Sequence, residues 1–233
     1  AKGASVIHML YKYLGEADFK KGLRYYLKTY AYQNTETDDL WKALEKISHK
    51  PIKPFMDSWV NLPGFPILEV NYDKKRLSFK QRRFISDGSK VKSPNWPIPV
   101  QIDNRQILID NQQSVKNLKS HPTPQQIRLN PGHSGYFICK YWDEYYRSIA
   151  KQYASNKDIF DESDLFGLLS DMLAINKADK LPIELLLEVI NHLDTQNSVP
   201  VWDVITLTIN DIRRVMGKEA RTSLKPHIRK LVE

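Results

Sequence analysis

The spacing of the apolar residues changes near Pro66, and this change constrains the fold more than any other feature. In the segment FMDSWVNLPGFPILEV, residues 55–70, the first half places apolar residues three and four positions apart, which is helical spacing. From Leu68 onward, apolar and polar residues alternate, which is the spacing of a β-strand. The chain therefore passes from a helical part to a β part at this point.

The connection itself, LPGFP at residues 62–66, is unusually apolar. A mobile linker would be polar, so we predict that this link is fixed in place. Its prolines and its glycine would set the path of the backbone. Its large apolar residues would pack, together with Trp59, into the seam between the helical part and the β part.

Residues 1–61 have the apolar spacing of four short helices. We predict helices over 3–14, over 16–30, after an N-cap at Thr37, and from Pro51 to about residue 60. Gly22 lies inside the second helix and costs about 1 kcal/mol relative to alanine, so we predict that it permits close packing. The predicted buried faces are Ala4, Ile7, Tyr11 and Leu14 on the first helix, and Phe19, Leu23, Tyr26, Leu27 and Tyr30 on the second.

Beyond Pro66, short alternating segments are separated by turn signals such as Asn130-Pro131-Gly132. Besides the strands that begin at residues 66 and 77, we predict strands at 96–102, 106–110, 126–129 and 135–141. Pro97 and Pro99 would place their strand at a sheet edge, because proline donates no ladder hydrogen bond. Strands of this kind without intervening helices predict an antiparallel β-sandwich.

Helical spacing returns at Asp143. We predict successive helices over 143–153, from about 163 to 175, from Pro182, from Pro200, and over 218–232. Consecutive helices joined by short links are typical of a stacked α-helical array. The expected fold is thus multidomain, with both α and β parts: helices at 1–62, a β-sandwich at 63–141 and an α-helical array at 142–233.

The residue spacing contains no pattern of a catalytic or metal site. None of the six histidines lies three to five residues from another, so zinc spacing is absent from the sequence. Carboxylate pairs such as Asp38-Asp39 and Asp143-Glu144 fall at predicted helix starts, where capping explains them. The single cysteine, Cys139, is predicted to be a core residue, and one cysteine favours a reducing, cytoplasmic location. The sequence contains no run of eighteen apolar residues, so it predicts no membrane span.

The net charge is +8, and cations concentrate between residues 74 and 92. Clustered cations can bind nucleic acid. The simpler interpretation is a solvated sheet face, because Leu77 and Phe79 alternate there with polar residues and no recognition motif accompanies the charge. We therefore disfavour a nucleic-acid partner.

Several segments, in their order and spacing, resemble the gluzincin family of zinc aminopeptidases, the family of puromycin-sensitive aminopeptidase and the tricorn-interacting factors. The segment MDSWVNLPGFPILEV is similar to the family's W-x-x-x-x-G-[FY]-P link, and IRLNPGHSGYFICKY to its L-N-x-x-x-x-G-Y-[FY]-x-V-x-Y strand. The first 48 residues resemble the last helices of the family's thermolysin-like catalytic domain. The matching positions there are Lys2-Gly3-Ala4, Leu14-Gly15, Phe19, Gly22, residues 32–34 and Asp39-Leu40-Trp41.

The resemblance implies a parent enzyme that uses zinc to release N-terminal amino acids from peptides. In the family, zinc polarises the scissile carbonyl and activates water, a glutamate is the general base and a tyrosine stabilises the oxyanion. The resemblance places the zinc ligands before Lys2 and that tyrosine immediately before Ala1. We therefore expect a fragment without catalytic, cofactor-binding or metal-binding residues, which binds no zinc and is inactive alone.

The expected partners are the remainder of the same polypeptide, meaning the catalytic domain and the later C-terminal helices, and a peptide substrate in the parent. The expected role is structural, as a buttress of the catalytic domain and a wall of the peptide cavity. One departure from the family is Leu165, which stands after Asp164 where the family often carries arginine. An alternative function is a non-catalytic protein-interaction module that uses the sandwich and an open end of the helical array.

Overall fold

The computed structural model describes residues 2–89, 91–118, 121–179, 181–193 and 198–215. Within these ranges the chain folds into eight α-helices and two small β-sheets, so the predicted mixture of α and β structure is confirmed. The helix predicted over 218–232, and His227 with it, lies outside the described residues. None of the helices in the described ranges has both the length and the apolar composition needed to cross a bilayer.

The four predicted N-terminal helices are confirmed. They are α1 (Lys2–Leu14), α2 (Glu16–Thr29), α3 (Thr37–Ser48) and α4 (Ile52–Asn61). Helix α3 begins one position differently from the prediction, because Glu36 and not Thr37 is its N-cap. The backbone N–H of Glu36 donates to Oδ2 of Asp39 at 3.1 Å, so Asp39 acts as a capping group, as predicted, whereas Asp38 pairs with Lys53 at 2.7 Å.

The predicted buried face of α1 is wrong except at Leu14. The helix buries Val6, Met9, Leu10 and Leu14, whereas Ala4 is exposed and Ile7 is 37% exposed. On α2 only Gly22 is fully buried, and Leu27 is 66% exposed. Helix α1 is apolar on more than one side, and the spacing of its residues does not indicate which side the rest of the protein covers.

Gly22 permits close packing, as predicted. A Cβ atom at this position would lie 2.6 Å from Cδ2 and 3.3 Å from Cα of Leu44 on α3. We expect Gly22→Ala to lower the free energy of unfolding by about 1 kcal/mol, because overpacking outweighs the gain in helix propensity. Urea denaturation would measure the change.

The matched control is Gly3→Ala on α1, where an added Cβ would have nothing within 4 Å. This variant should be as stable as the original chain or more stable by a few tenths of a kcal/mol. If both substitutions stabilise the chain equally, Gly22 has no packing role.

The β part contains a four-stranded sheet in the order β5-β2-β1-β6 and a two-stranded sheet, β3-β4. The strands are β1 (Pro66–Asp73), β2 (Arg76–Arg83), β3 (Ile98–Ile102), β4 (Arg105–Ile109), β5 (Gln113–Asn117) and β6 (Ile138–Lys140). One pairing departs from the predicted antiparallel arrangement, because β6 runs parallel to β1, with Ile67 opposite Ile138. These two strands are far apart in sequence, so no hairpin forces them to be antiparallel.

Strand β3 lies at a sheet edge, as its prolines predict, and pairs only with β4 among the described strands. Its other side is next to residues 126–129, where Leu129 accepts a hydrogen bond from the N–H of Gln101 at 3.0 Å. The strand predicted at 126–129 is wrong: Pro124–Ile127 is a 3₁₀ helix. The side chain of Gln126 accepts from the N–H of Thr123 at 2.7 Å, which favours a turn over an extended strand.

The C-terminal part contains α5 (Asp143–Ser155), α6 (Glu162–Asp179), α7 (Ile183–Asn191) and α8 (Val199–Val215), which confirms four predicted helices. Ion pairs connect alternate helices: Arg147 with Glu188 between α5 and α7, and Lys177 with Asp211 between α6 and α8. A single connected hydrophobic core extends from Val6 on α1 to Ile205 on α8. The helical and β parts therefore share one packed interior.

Candidate functional site

The link at residues 62–66 is packed on both sides, as predicted. Trp59, at the end of α4, is completely buried, and its indole Nε1 donates to the carbonyl of Pro97 at 3.1 Å. The ring of Phe65 stacks on Phe84 with the centroids 5.3 Å apart. Lys2, at the start of α1, donates to the carbonyl of Leu62 at 2.7 Å. The link is thus a structural junction between the helical and β parts.

A second junction connects α6 to the segment before β6. The carboxylate of Asp164 is almost completely buried, and its Oδ2 accepts from Nη1 of Arg128 at 2.5 Å. Its Oδ1 accepts from the backbone N–H of Gly132 at 2.7 Å. Asp161 in turn accepts from the backbone N–H of Asp164 at 2.8 Å. One carboxylate therefore binds both a side chain and the backbone of the 128–132 segment.

Asp171 lies two helical turns after Asp164, on the same side of α6. Its Oδ2 accepts from the backbone N–H of Cys139 on β6 at 2.9 Å, and both residues are buried. Gly167 and Leu168, which lie between the two aspartates in the sequence of α6, line a cavity of about 40 Å³. Tyr141 and Tyr145 also line this cavity. The two carboxylates together hold α6 against the β part.

Burial controls the ionisation of this junction. It raises the pKa of Asp171 well above its usual value, with only the N–H of Cys139 opposing the shift. Burial also raises the pKa of Asp164, while the N–H of Gly132 and the charge of Arg128 oppose that rise. Burial also raises the pKa of the Cys139 thiol, and the 3% exposure of this residue confirms its predicted place in the core.

The raised pKa of Asp171 predicts a pH-dependent loss of stability. The folded chain binds the proton more tightly than the unfolded chain, so the stabilising contribution is fully present below pH 4 and is lost as the pH rises through the folded pKa. We expect Asp171→Asn to reduce this decline, because the amide keeps an acceptor for the N–H of Cys139 but does not ionise. Urea denaturation between pH 5 and pH 8 would measure the difference.

Asp171→Leu is the control, because it removes both the charge and the acceptor. It should reduce the pH dependence as Asp171→Asn does, but leave the N–H of Cys139 unpaired and lower stability at every pH. An unchanged pH slope in both variants would show that Asp171 does not titrate with folding.

Leu165, the departure from the family pattern, is buried in the core with 2% of its surface exposed. Asp164 pairs with Arg128, which is 36 residues earlier in the sequence. The residue after Asp164 therefore contributes packing here. Nothing in the sequence spacing indicated Arg128 as the partner, although it lies in the motif IRLNPGHSGYFICKY.

Two histidines of the described ranges, His133 and His192, have packing or hydrogen-bonding partners. No three His, Cys, Asp or Glu side chains there approach closely enough to hold a metal ion, so the described residues do not fit a zinc site. His133 packs against Phe166 with the ring centroids 5.9 Å apart. Nδ1 of His192 lies 2.8 Å from the carbonyl oxygen of Glu188, whose carboxylate pairs with Arg147. These histidines are accounted for by packing and local hydrogen bonds.

The described cations of β2 include exposed side chains on a solvated sheet face. On β2, Leu77 and Phe79 are buried, while Arg76, Ser78 and Lys80 are exposed. Arg82 pairs with Glu69 on β1 at 3.2 Å. This alternation confirms that β2 has the predicted solvated face.

A larger cleft, of about 330 Å³, opens where α1, β3 and the 128–135 segment meet. Residues from all three predicted parts line it, among them Lys12, Gln101, Arg128 and Asp161. Asp161 is already engaged as the capping acceptor of Asp164. The cleft therefore belongs to the same junction.

Two family models match the chain. The peptidase family M1 domain matches residues 1–59, and the ERAP1-like C-terminal domain matches residues 127–233. The tricorn protease-interacting factor F2 of Thermoplasma volcanium is 32% identical over 208 residues, 87% of this chain and 25% of that protein. Puromycin-sensitive aminopeptidase of Caenorhabditis elegans is 29% identical across 100% of this chain and 26% of its own length.

The alanine/arginine aminopeptidase of Saccharomyces cerevisiae is 29% identical over 91% of this chain and 25% of that protein. The chain thus spans about a quarter of the length of these relatives. The similarity extends through the link and through both junctions.

Proposed function

Because this chain belongs to peptidase family M1, we propose that it is part of a zinc-dependent aminopeptidase that releases N-terminal amino acids from peptides. The observation that carries this proposal is the order of the two family matches, with the M1 domain followed by the ERAP1-like C-terminal domain. Relatives that are named aminopeptidases support the reaction. The proposed compartment is the cytosol, because a buried, unpaired Cys139 suits a reducing environment.

Within that enzyme the proposed role of this chain is structural. Residues 1–62 would complete the catalytic domain, 63–141 would form the β-sandwich domain, and 142–233 would begin the helical domain. The proposal is supported by the packed link beside Trp59 and by the two buried carboxylates of α6, which join these parts through directed bonds. A segment held in this way would buttress the catalytic domain and position the helices that wall the peptide cavity.

The zinc and its ligands would belong to the remainder of the polypeptide. The described residues offer no ligand set for this ion, so no step of the reaction is assigned to them. We propose that the 233-residue chain alone binds no catalytic zinc and is inactive.

An activity measurement tests both parts of this proposal. Two proteins would be assayed with a fluorogenic aminoacyl amide, with and without a zinc chelator. One is the full protein encoded by the open reading frame that contains this chain, and the other is the 233-residue chain alone. We expect chelator-sensitive turnover from the longer protein and none from the chain alone. The same preparations would be analysed for bound zinc.

The two outcomes that contradict the proposal are distinct. Turnover by the 233-residue chain, with stoichiometric zinc, would show that the chain is itself a catalyst. A longer protein that folds and binds zinc but cleaves no aminoacyl amide would contradict the aminopeptidase reaction.

A further inference from the structure

We propose that Lys2 and Arg83 form a binding site for one carboxylate group at the junction between α1, β2 and the 62–66 link. Both cations approach the same short piece of backbone from different elements. Nζ of Lys2 donates to the carbonyl of Leu62 at 2.7 Å and to that of Gly64 at 3.2 Å. Arg83 reaches Gly64 from the end of β2.

Gly64 makes this approach possible. Its φ is +83°, and a Cβ at this position would lie 2.7 Å from Nε of Arg83. A side chain would therefore be strained and would occupy the space of the guanidinium. Glycine in the link thus brings the Arg83 side chain against the backbone that Lys2 already contacts.

The charges of this pair are not balanced within the described part of the chain. Neither Lys2 nor Arg83 has an ion pair with a described carboxylate, and Nε of Arg83 is buried without an acceptor. Burial and the neighbouring charge of Arg83 both lower the pKa of Lys2. Two adjacent like charges cost free energy, and an anion bound beside both of them offsets their repulsion.

The available donors fit a carboxylate. An ammonium group has three N–H donors, and two of those on Lys2 are directed at the Leu62 and Gly64 carbonyls. The guanidinium of Arg83 offers a planar fork that matches two carboxylate oxygens. The first turn of α1 contains no acidic residue that could supply the group locally.

The carboxylate could come from an acidic side chain elsewhere in the longer polypeptide or from a free carboxylate ligand. Both sources share one chemistry, so the site is tested first with acetate on the 233-residue chain. Acetate should raise the melting temperature of the chain by about 2–4 °C more than chloride does at equal ionic strength. This rise should level off with increasing acetate concentration, as expected for binding at one site. The Nε–H resonance of Arg83 in ¹H–¹⁵N spectra should shift over the same acetate range.

Arg83→Met should weaken the affinity for acetate at least tenfold, since it keeps an unbranched apolar stem and removes the guanidinium fork. Lys80→Met is the matched control, because Lys80 is an exposed cation of the same strand, and its acetate response should equal that of the unmodified chain. If Arg83→Met unfolds, the Nε–H shift in the unmodified chain still decides the question. An acetate response that survives Arg83→Met, or an Arg83 resonance that acetate does not shift, would overturn the proposal.

The longer protein distinguishes the two sources. If one of its own acidic side chains occupies the site, acetate has no effect there, and Arg83→Met lowers its melting temperature more than that of the 233-residue chain. If the ligand is a free carboxylate, the acetate response persists in the longer protein. This test does not require aminopeptidase activity, so its failure and the failure of the proposed function are separable.

Discussion

Replacing Trp59 with alanine is expected to lower the free energy of unfolding by about 3–5 kcal/mol. The indole is completely buried between Phe55 and Trp96, with each ring centroid 6.3 Å away. Its removal leaves a large cavity at the seam and also leaves the carbonyl of Pro97 without its donor. Chemical denaturation followed by circular dichroism would measure the loss.

Val60→Ala is the control for this substitution, since Val60 is the next residue of α4 and is 57% exposed. It should change stability by less than about 0.5 kcal/mol. A cost below about 1 kcal/mol for Trp59→Ala would mean that the link is an ordinary loop. The helical and β parts would then not depend on the link for their contact.

Asp164→Ala should have an effect of similar size, with a loss of about 3 kcal/mol. The substitution removes the acceptor of Arg128 and of the N–H of Gly132 together. The Arg128 side chain, which is 34% exposed, then lacks its counter-charge, and the N–H of Gly132 lacks its acceptor. Thermal and urea denaturation would both report the loss.

Asp211→Ala provides the comparison, because it breaks an ion pair between α6 and α8 whose side chains are more exposed. That change should cost less than about 1 kcal/mol. Asp164→Asn should fall between the two, since the amide can still accept one hydrogen bond. Equal costs for Asp164→Ala and Asp211→Ala would show that burial of the first pair adds nothing.

The helices were predictable because a helix that packs on a core has apolar residues three and four positions apart in the sequence. Thus α3, α4 and α5 begin close to where the caps, prolines and acidic residues predict. The packed link was predictable as well, since an apolar connection gains nothing from exposure to water. Gly22 was predictable because a helix interior tolerates glycine only where something compensates its cost.

The predictions that failed concern features that depend on residues far away in the sequence. The apolar spacing of α1 fitted more than one face, and the face with Val6 and Leu10 was chosen by what packs against it. The apolar residues at 126–129 fitted a strand, but the cap at Thr123 gives a 3₁₀ helix there. Strand β6 pairs parallel to β1, and no local turn specifies that direction.

The sequence by itself determined the described helices, the apolar link and the family resemblance, because these depend on neighbouring residues and on motifs at fixed spacing. Only the tertiary structure decided the partners of the polar groups. Asp164 finds Arg128 across 36 residues, and Asp171 finds the N–H of Cys139 across 32. The same folding brings both Lys2 and Arg83 to the backbone of Gly64. Such pairs follow from how the elements pack, since buried polar groups must find a partner wherever packing places one.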